Sequence, residues 1–329
     1  MFTVGDLFAG IGGVASGFDQ AGFKITWANE IDKKACITYR ANHEHKLIEG
    51  DIISINVNDL PPTDVLCGGF PCQAFSVAGY RKGFDDDRGN LFFKIMDLAK
   101  ELQPHVVFLE NVKNLQTHDK GNTYKVIKSK LESHGYHVKE KVLNTCEYST
   151  LPQNRERIFI VAFKNKEAYE AFSFPEKVKK TKKPHDLMED TADDKYYYTS
   201  TKYYPILKEE MKNPEHVYQW RRQYVRENKS GVCPTLTANM GMGGHNVPLI
   251  IDKKDIRKMT PRECLNMQGF EKGFIIPKEL PDSAIYKQAG NSVSVPVIRA
   301  IASQIMKALE AAGVQGHSES IQNVHRQTA

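Results

Sequence analysis

Apolar, β-branched runs and segments of helical periodicity alternate through the first half of the chain. Residues 91–102 show the helical pattern clearly, because their large apolar side chains recur on one broad face. Strands are predicted at residues 3–8, 24–29, 64–68, 105–110, 137–144 and 157–163, and helices at residues 32–43, 90–102 and 122–134. This alternation predicts an α/β fold with a doubly wound, mostly parallel sheet.

The pattern changes near Phe174. Residues 177–183 contain five lysines without periodicity, and the chain stays irregular to about residue 282 before helical periodicity returns over residues 284–309. The predicted division of the chain is a sheet domain at residues 1–176 and 283–312, a smaller, irregular and mainly β insert at residues 177–282, and a flexible tail at residues 313–329.

Composition describes an ordinary globular protein. The 329 residues are 40% hydrophobic and 26% charged, and they contain neither an 18-residue apolar run nor a signal-peptide pattern. The six cysteines show no CxxC spacing, so neither a zinc site nor a disulfide framework is expected. We expect a cytoplasmic protein, and its net charge of +5 is compatible with a polyanionic partner without requiring one.

A glycine-rich turn at residues 6–13 follows the first predicted strand and opens a helix. In doubly wound folds such a turn lets the backbone approach a ligand at a helix N-terminus, and Gly10 and Gly12 remove the Cβ atoms that would obstruct it. Glu30 follows Gly10 by 20 residues, where an acid commonly accepts hydrogen bonds from ribose hydroxyls, and Asp51 is placed to take an adenine amino group. The pattern indicates an adenosine-containing cofactor, and at this point both nicotinamide cofactors and S-adenosylmethionine are compatible with it.

Cys72 lies just past the end of a predicted strand, within residues 68–76. Open α/β sheets place their ligands at this edge, and Pro71 fixes the backbone before the thiol. A thiol in this position acts as a nucleophile when a nearby donor or a helix N-terminus favours the thiolate. An inert loop cysteine is the alternative interpretation of this peptide taken by itself.

The Cys72 peptide is one of several motifs through which the sequence strongly resembles the DNA (cytosine-5) methyltransferases of bacterial and phage restriction–modification systems. The motifs follow the family's order over most of the chain, and this order makes the match specific although each motif alone is not. The motifs are Phe-Ala-Gly-Ile-Gly-Gly at 8–13, Gly-Phe-Pro-Cys-Gln at 69–73, Glu-Asn-Val at 110–112, Gln-Asn-Arg-Glu-Arg at 153–157, Arg-Glu-Cys with Gln-Gly-Phe within 262–270, and Gly-Asn-Ser-Val at 290–293.

The resemblance implies methyl transfer from S-adenosylmethionine, without a metal, to carbon 5 of a cytosine flipped out of duplex DNA. Cys72 would attack carbon 6, Glu110 would hold the ring edge at N3, Arg157 would hold O2, and Arg155 would support the nucleophile loop. Residues 76–89 would form a lid over the base. Implied cofactor contacts are Phe8, Gly10, Gly12, Glu30, Asp51, Phe70 and Asn291, and implied DNA contacts are Gln73, Ser76, Arg88, Arg221, Arg222, Arg226 and Thr235.

We therefore interpret the insert as a DNA-recognition domain, because arginines and aromatic residues interleave over residues 218–226 and arginine pairs bidentately with guanine. The expected partner is double-stranded DNA, with a cognate restriction endonuclease that acts on the same site without binding this chain. We expect a monomer that associates with the nucleoid when bound to DNA. Three alternatives remain at this point: a tRNA cytosine methyltransferase of the same fold, a catalytically silent DNA-binding relative, and a nicotinamide oxidoreductase.

Overall fold

A seven-stranded sheet is the framework of the fold. The computed structural model describes residues 1–70, 91–179, 181–221, 224–242 and 246–317. The strands of this sheet are β1 (Thr3–Leu7), β2 (Lys24–Glu30), β3 (Lys46–Glu49), β4 (Val65–Gly68), β5 (Val106–Val112), β6 (His137–Asn144) and β7 (Glu156–Phe163). The helices of the same chain segment are α1 (Gly13–Asp19), α2 (Lys33–Asn42), α3 (Leu91–Leu102), α4 (Asn122–Ser133), α5 (Thr145–Tyr148) and α6 (Lys166–Ala171).

The strand order is β3-β2-β1-β4-β5-β7-β6. The first five strands in this order are parallel, and β7 is antiparallel to both β5 and β6. The predicted α/β fold with a mostly parallel sheet is therefore confirmed. β3 is absent from the predicted strand ranges, because this edge strand has only four residues and none of them is fully buried, although the expected role of Asp51 assumed that a strand ends just before it.

Both faces of the sheet are buried, as expected when helices cover a parallel sheet on two sides. In β4, Val65 and Cys67 point to the layer that contains α1 and α6, whereas Leu66 points to the layer that contains α3 and α4. This period of two follows from the pleat of the strand. Because the strands are buried on both sides, they appear in the sequence as continuous apolar runs and not as alternating ones.

The second half of the described chain adds a four-stranded antiparallel sheet and four helices. The strands are β8 (Val217–Arg221), β9 (Tyr224–Asn228), β10 (Leu249–Ile251) and β11 (Ile256–Lys258), and the helices are α7 (Tyr204–Glu210), α8 (Pro261–Gln268), α9 (Asp282–Asn291) and α10 (Val295–Ala311). The strand order is β11-β10-β8-β9. No helix in the described part of the chain combines the length and apolarity needed to cross a bilayer.

A buried ion pair holds β11 to α8 beside this smaller sheet. The guanidinium of Arg257 donates to both carboxylate oxygens of Glu263 at 2.7 and 2.8 Å, and neither side chain is exposed. Glu263 also accepts the amide of Thr260, which caps α8. Removing one member of such a pair leaves a buried charge and typically costs about 3–5 kcal/mol.

The single helix predicted at residues 284–309 is wrong: the structure has two helices, α9 and α10, separated at Ser292–Ser294. The apolar periodicity continues across the break, so the pattern alone suggests one helix. Pro296 at the start of α10 cannot donate a backbone hydrogen bond to the preceding turn, which favours a new helix beginning there. The break leaves backbone carbonyls exposed to a neighbouring side chain, and this side chain is Arg155.

Candidate active site

The carboxyl end of β4 brings the chain to the site. Phe70 is buried against Phe92, with ring centroids 5.8 Å apart, and its carbonyl accepts a hydrogen bond from the Asn111 side chain at 2.8 Å. The next residues, 71–90, lie outside the described part of the chain, and this segment contains the predicted site residues Cys72, Gln73, Ser76 and Arg88 and the predicted lid. Asn111 therefore fixes Phe70, the last described residue before the Cys72 segment.

Glu110 and Arg157 form an ion pair at this edge. β5 and β7 are antiparallel neighbours, and their register places Val112 opposite Arg157. Nε of Arg157 lies 3.0 Å from Oε1 of Glu110, with only 17% and 12% of the two side chains exposed. Gly69 faces the same carboxylate, since a Cβ there would lie 3.6 Å from Oε2. The predicted catalytic acid and the predicted O2-binding arginine are thus in direct contact beside the exit of β4.

Arg155 is buried and ties three segments of the chain together. Its guanidinium donates to the carbonyls of Leu236, Gly290 and Ser292, the last by a very short bond. Burial and the neighbouring charge of Arg157 lower the pKa of Arg155, while Glu110 acts in the opposite direction. These bonds join the segment between β9 and β10 to the end of α9 and the break that follows it. They do not test the predicted role at the nucleophile loop, because that loop lies outside the described part.

The glycine-rich turn after β1 has left-handed backbone at Phe8, Gly10 and Gly12. A side chain at Gly12 would overlap the His43 ring, whereas no described atom lies within 4 Å of where a Cβ would stand at Gly10. The amide of Gly10 donates to Oε2 of Glu30 at 2.7 Å. The turn therefore keeps Gly10 open and binds the carboxylate that the sequence analysis assigned to a ribose.

Glu30 is positioned by backbone amides on both of its oxygens. Oε1 accepts the amides of Ile31 and Asp32 at 2.9 and 2.7 Å, in addition to the bond from Gly10 to Oε2. A carboxylate offers about four acceptor positions, so these three bonds leave roughly one for a ligand. This capacity fits one ribose hydroxyl.

One cavity of about 900 Å³ connects the turn to the ion pair. Its volume is at the upper end of the range for small-molecule sites. The predicted site residues that line it are Phe8, Gly10, Glu30, Phe70, Glu110, Arg155, Arg157 and Asn291. Within the described chain Asp51 does not line it; its carboxylate caps the turn that follows β3 by accepting the amide of Ile53. Gly12 is also outside the lining, and it acts on the turn through its contact with His43.

The hairpin of β8 and β9 carries the predicted DNA-contacting arginines that the structure describes. Arg221 pairs with Tyr224 and Gln219 pairs with Arg226, so these side chains share one face of the hairpin. Arg221, Tyr224 and Arg226 are exposed, whereas Trp220 on the opposite face packs against Tyr203. Arg222 lies outside the described residues. Thr235 is on a separate segment, where its hydroxyl donates to the carbonyl of Asn154.

Asn111 and Gln153 belong to the sequence motifs and position other parts of the site, but neither was predicted as a site residue. Asn111 anchors Phe70, as described above. Gln153 is fully buried and donates to the carbonyl of Met267 at 2.8 Å. Both are amides beside charged residues in the motifs at 110–112 and 153–157, and a buried amide that needs several partners is the signal that could have identified them.

Comparisons with known proteins place the chain in one family. The family model for C-5 cytosine-specific DNA methylases matches residues 2–307. The Type II methyltransferase M.Bsp6I of Bacillus sp. strain RFL6 is 56% identical over 315 residues, which cover 94% of this chain and 100% of that protein. The Type II methyltransferase M1.ScrFI of Lactococcus lactis subsp. cremoris is 41% identical, with 93% of this chain and 78% of that protein covered.

Solved structures show the same fold at low sequence identity. The Dnmt2 methyltransferase of S. pombe superposes with a TM-score of 0.74 at 19% identity, covering 94% of this chain and 99% of that one. A putative DNA modification methyltransferase encoded within an E. coli prophage gives 0.68 at 22% identity, with 94% and 100% covered. Together with the family match and the relatives, this means that the chain belongs to the C-5 cytosine-specific DNA methylases and is a DNA cytosine-5 methyltransferase of the restriction–modification type.

Proposed function

We propose that this enzyme transfers a methyl group from S-adenosylmethionine to carbon 5 of a flipped-out cytosine in a short, specific duplex sequence, through a covalent bond to Cys72. The observation that supports this most directly is the single cavity that joins the Gly10–Glu30 turn to the Glu110–Arg157 pair. A methyl donor and an acceptor base must lie side by side for transfer, and this cavity is large enough for both.

The described residues fit an adenosine cofactor at one end of the cavity. Gly10 is open, and Glu30 retains about one acceptor position for a ribose hydroxyl. Phe8, Phe70 and Asn291 complete the proposed contacts from the cavity lining, and Asp51 would have to act from its edge. When bound, S-adenosylmethionine supplies an electrophilic methyl group.

The cytosine ring is activated by addition of a thiolate. Carbon 5 is a poor nucleophile until the sulfur of Cys72 bonds to carbon 6 and the electron pair of the 5,6 double bond becomes available at carbon 5. That pair would form the new bond to the methyl group while the bond from the methyl group to the sulfonium sulfur of the donor breaks, its electron pair staying on that sulfur. Water then takes the proton on carbon 5, and elimination breaks the bond between sulfur and carbon 6, which restores the double bond and the thiolate.

Glu110 and Arg157 recognise the base by exchanging partners. The pair separates, Arg157 donates to O2, and the Glu110 carboxyl hydrogen-bonds N3, which draws charge from the ring during the attack. Base flipping supplies this edge to the site, since carbon 6 is not accessible within a stacked duplex. Gln73, together with Ser76 and Arg88 on the proposed lid at 76–89, would hold the DNA on the other side of the base.

Site recognition is assigned to the insert at residues 177–282, and catalysis to residues 1–176 and 283–312. The hairpin face with Arg221, Tyr224 and Arg226 supports this assignment, because exposed arginines and an aromatic ring suit base edges and phosphates. Arg222 and Thr235 are proposed as further DNA contacts. Methylation of the site would protect it from a restriction endonuclease of the same specificity, which need not bind this chain.

The test is base-resolution 5-methylcytosine sequencing of DNA from a methylation-free host that expresses the chain or Cys72→Ala. Methylation at one short motif, absent with Cys72→Ala although that variant still binds DNA containing the motif, is the expected result. Normal methylation by Cys72→Ala would refute the covalent mechanism. Unmodified DNA together with methylated cytosine in the host's tRNA would refute duplex DNA as the substrate.

A further inference from the structure

Three side chains that take no part in methyl transfer meet at the opposite edge of the seven-stranded sheet. Asp64 precedes β4 and His105 precedes β5, so both lie where these parallel strands begin. His317 comes from the segment after α10 and reaches the same point. Glu110 and Phe70 lie at the far ends of the same two strands, so this cluster is separated from the active site by the length of the sheet.

The potential ligand atoms converge on the Asp64 carboxylate. Its Oδ1 lies 2.8 Å from Nδ1 of His317 and 3.6 Å from Nε2 of His105, and the three atoms are all within 4.8 Å of one another. The Asp64 side chain is fully buried, whereas 24% of His105 and 31% of His317 is exposed. The carboxylate is therefore enclosed, while the two rings beside it reach the surface.

The carboxylate is held in place by partners other than the histidines. Oδ2 of Asp64 accepts the amide of Thr3 at 2.7 Å and its hydroxyl at 2.9 Å. The amide of His317 also donates to Oδ1. A ligand oriented by hydrogen bonds from its surroundings is typical of metal sites.

The His317 ring lies at hydrogen-bond distance from Asp64, but the angles of this contact are not those of a well-formed hydrogen bond. Its Nδ1 is buried and, despite the 2.8 Å contact with Asp64, makes no hydrogen bond of acceptable geometry with any described group. The His105 and His317 rings are stacked, with centroids 4.4 Å apart and planes within 4°. Two imidazole nitrogens thus lie beside one carboxylate oxygen, and one of them lacks a well-formed partner.

We propose that Asp64, His105 and His317 bind one Zn²⁺ ion, with water in the fourth position. Tetrahedral zinc with bonds of about 2.0–2.1 Å sets neighbouring ligand atoms roughly 3.4 Å apart, and the distances from Asp64 Oδ1 are 2.8 and 3.6 Å. The two stacked rings would have to rotate apart on binding, because a metal ion lies close to the plane of each imidazole that binds it and nearly parallel planes do not meet at one ion. Two imidazoles and one carboxylate are a ligand set that zinc accepts.

Zinc binding would replace one existing hydrogen bond of His105. Nε2 of His105 lies 3.0 Å from the carbonyl of Gln315, so in that arrangement it carries the proton. Coordination requires the tautomer with the proton on Nδ1, and the bond to Gln315 is given up in return for the bond to zinc. The ion would join the segment after α10 to the starts of β4 and β5, and it would stabilise the fold without touching the reacting groups.

The test uses the full-length protein, freed of metal with a chelator and titrated with ZnCl₂ by calorimetry and by thermal unfolding. We expect one ion per chain and a melting temperature that rises with zinc concentration. His317→Ala and His105→Gln should each weaken binding by more than about 100-fold, because even a partner that only supports a ligand is typically worth 10–100-fold. His105→Gln retains a donor for the Gln315 carbonyl, which limits the effect of the change on folding.

His137→Ala is the matched control, since it removes an exposed histidine of β6 outside the cluster. The control should bind zinc as the parent chain does, and Co²⁺ bound to either should show the intense visible absorption of a tetrahedral ion. Equal zinc binding by the parent chain and His317→Ala would overturn the proposal, as would no measurable binding by the parent chain.

Discussion

Glu110 and Arg157 approach the cavity from two neighbouring strands, and each offsets the cost of burying the other's charge. Such a pair separates only for a ligand that replaces both interactions. The edge of cytosine, with N3 and O2 adjacent, provides one group for each side chain. In the proposed function, the ion pair would therefore contribute to the selection of the base as well as to its activation.

Asp6 is a second buried acid, and it differs from Glu110 because no described cation pairs with it. Neither of its oxygens has a well-formed hydrogen bond to a described residue, and the side chain is 1% exposed. Burial raises the pKa of Asp6 to about 8; the amide of Ala15 lowers it and the charge of Glu30 adds to the rise. The folded protein therefore favours the protonated form of Asp6 at neutral pH, although no well-formed hydrogen bond with a described residue stabilises that form.

The free energy of unfolding of Asp6→Asn should decrease less with rising pH than that of the parent chain. Because the folded pKa is raised, the contribution of protonated Asp6 is fully present below pH 3.8 and is lost as the pH rises through about 8. Between these values the parent chain should lose up to about 1.4 kcal/mol per pH unit relative to Asp6→Asn. Urea unfolding from pH 5 to 8 measures this difference.

Asp97→Asn, on the exposed side of α3, is the control and should run parallel to the parent chain. If the free energies of unfolding of Asp6→Asn and the parent chain vary in parallel with pH, then the pKa of Asp6 is the same in the folded and unfolded states, and the prediction is wrong.

Sequence periodicity predicted individual strands and helices, but it did not predict the contacts between distant segments. Buried central strands and the apolar face of α3 are local patterns, and they were predicted within a few residues. The partners of Arg155 were not predictable, because they are backbone carbonyls of Leu236, Gly290 and Ser292, which any residue could supply. Asp64, His105 and His317 were likewise invisible as a cluster, since only the folded topology brings such distant positions together.

Gly290→Ala tests the contact between the α9–α10 break and the segment before Met240. A methyl group at Gly290 would overlap the carbonyl of Thr237, which is backbone and cannot rotate away. We expect a destabilisation of about 1–3 kcal/mol, as for overpacking in other cores, and weaker methyl transfer because the Arg155 bonds shift. Thermal unfolding and initial rates of methylation measure both effects.

Gly273→Ala provides the comparison, since no described atom lies within 4 Å of its added methyl group. A stable, fully active Gly290→Ala would mean that the break tolerates displacement and does not set the geometry of the site.

At the scale of the whole molecule, the two sheets divide the work proposed for them. The face of the β8–β9 hairpin projects exposed arginines, and the larger sheet holds Glu110 and Arg157 at its carboxyl edge. Exchanging residues 182–255 for the corresponding segment of a relative with a different target should change the methylated sequence and leave cytosine carbon 5 as the acceptor.

Methylation sequencing of host DNA measures this outcome, with the unexchanged chain as control. An unchanged target after exchange in a folded, active protein would place base recognition outside the insert.

The docking of α10 on α1 has a consequence for the synthesis of the enzyme. A Cβ at Gly17 would lie 2.6 Å from Ile298, so the first helix of the sheet domain is shaped to receive one of the last. Roughly 280 residues separate these helices, and a ribosome adding about 5–20 residues per second needs some tens of seconds to cover that distance. During this interval the apolar surface of α1 that packs against Ile298 stays uncovered, and we expect the sheet domain to complete its fold only after α10 has been made.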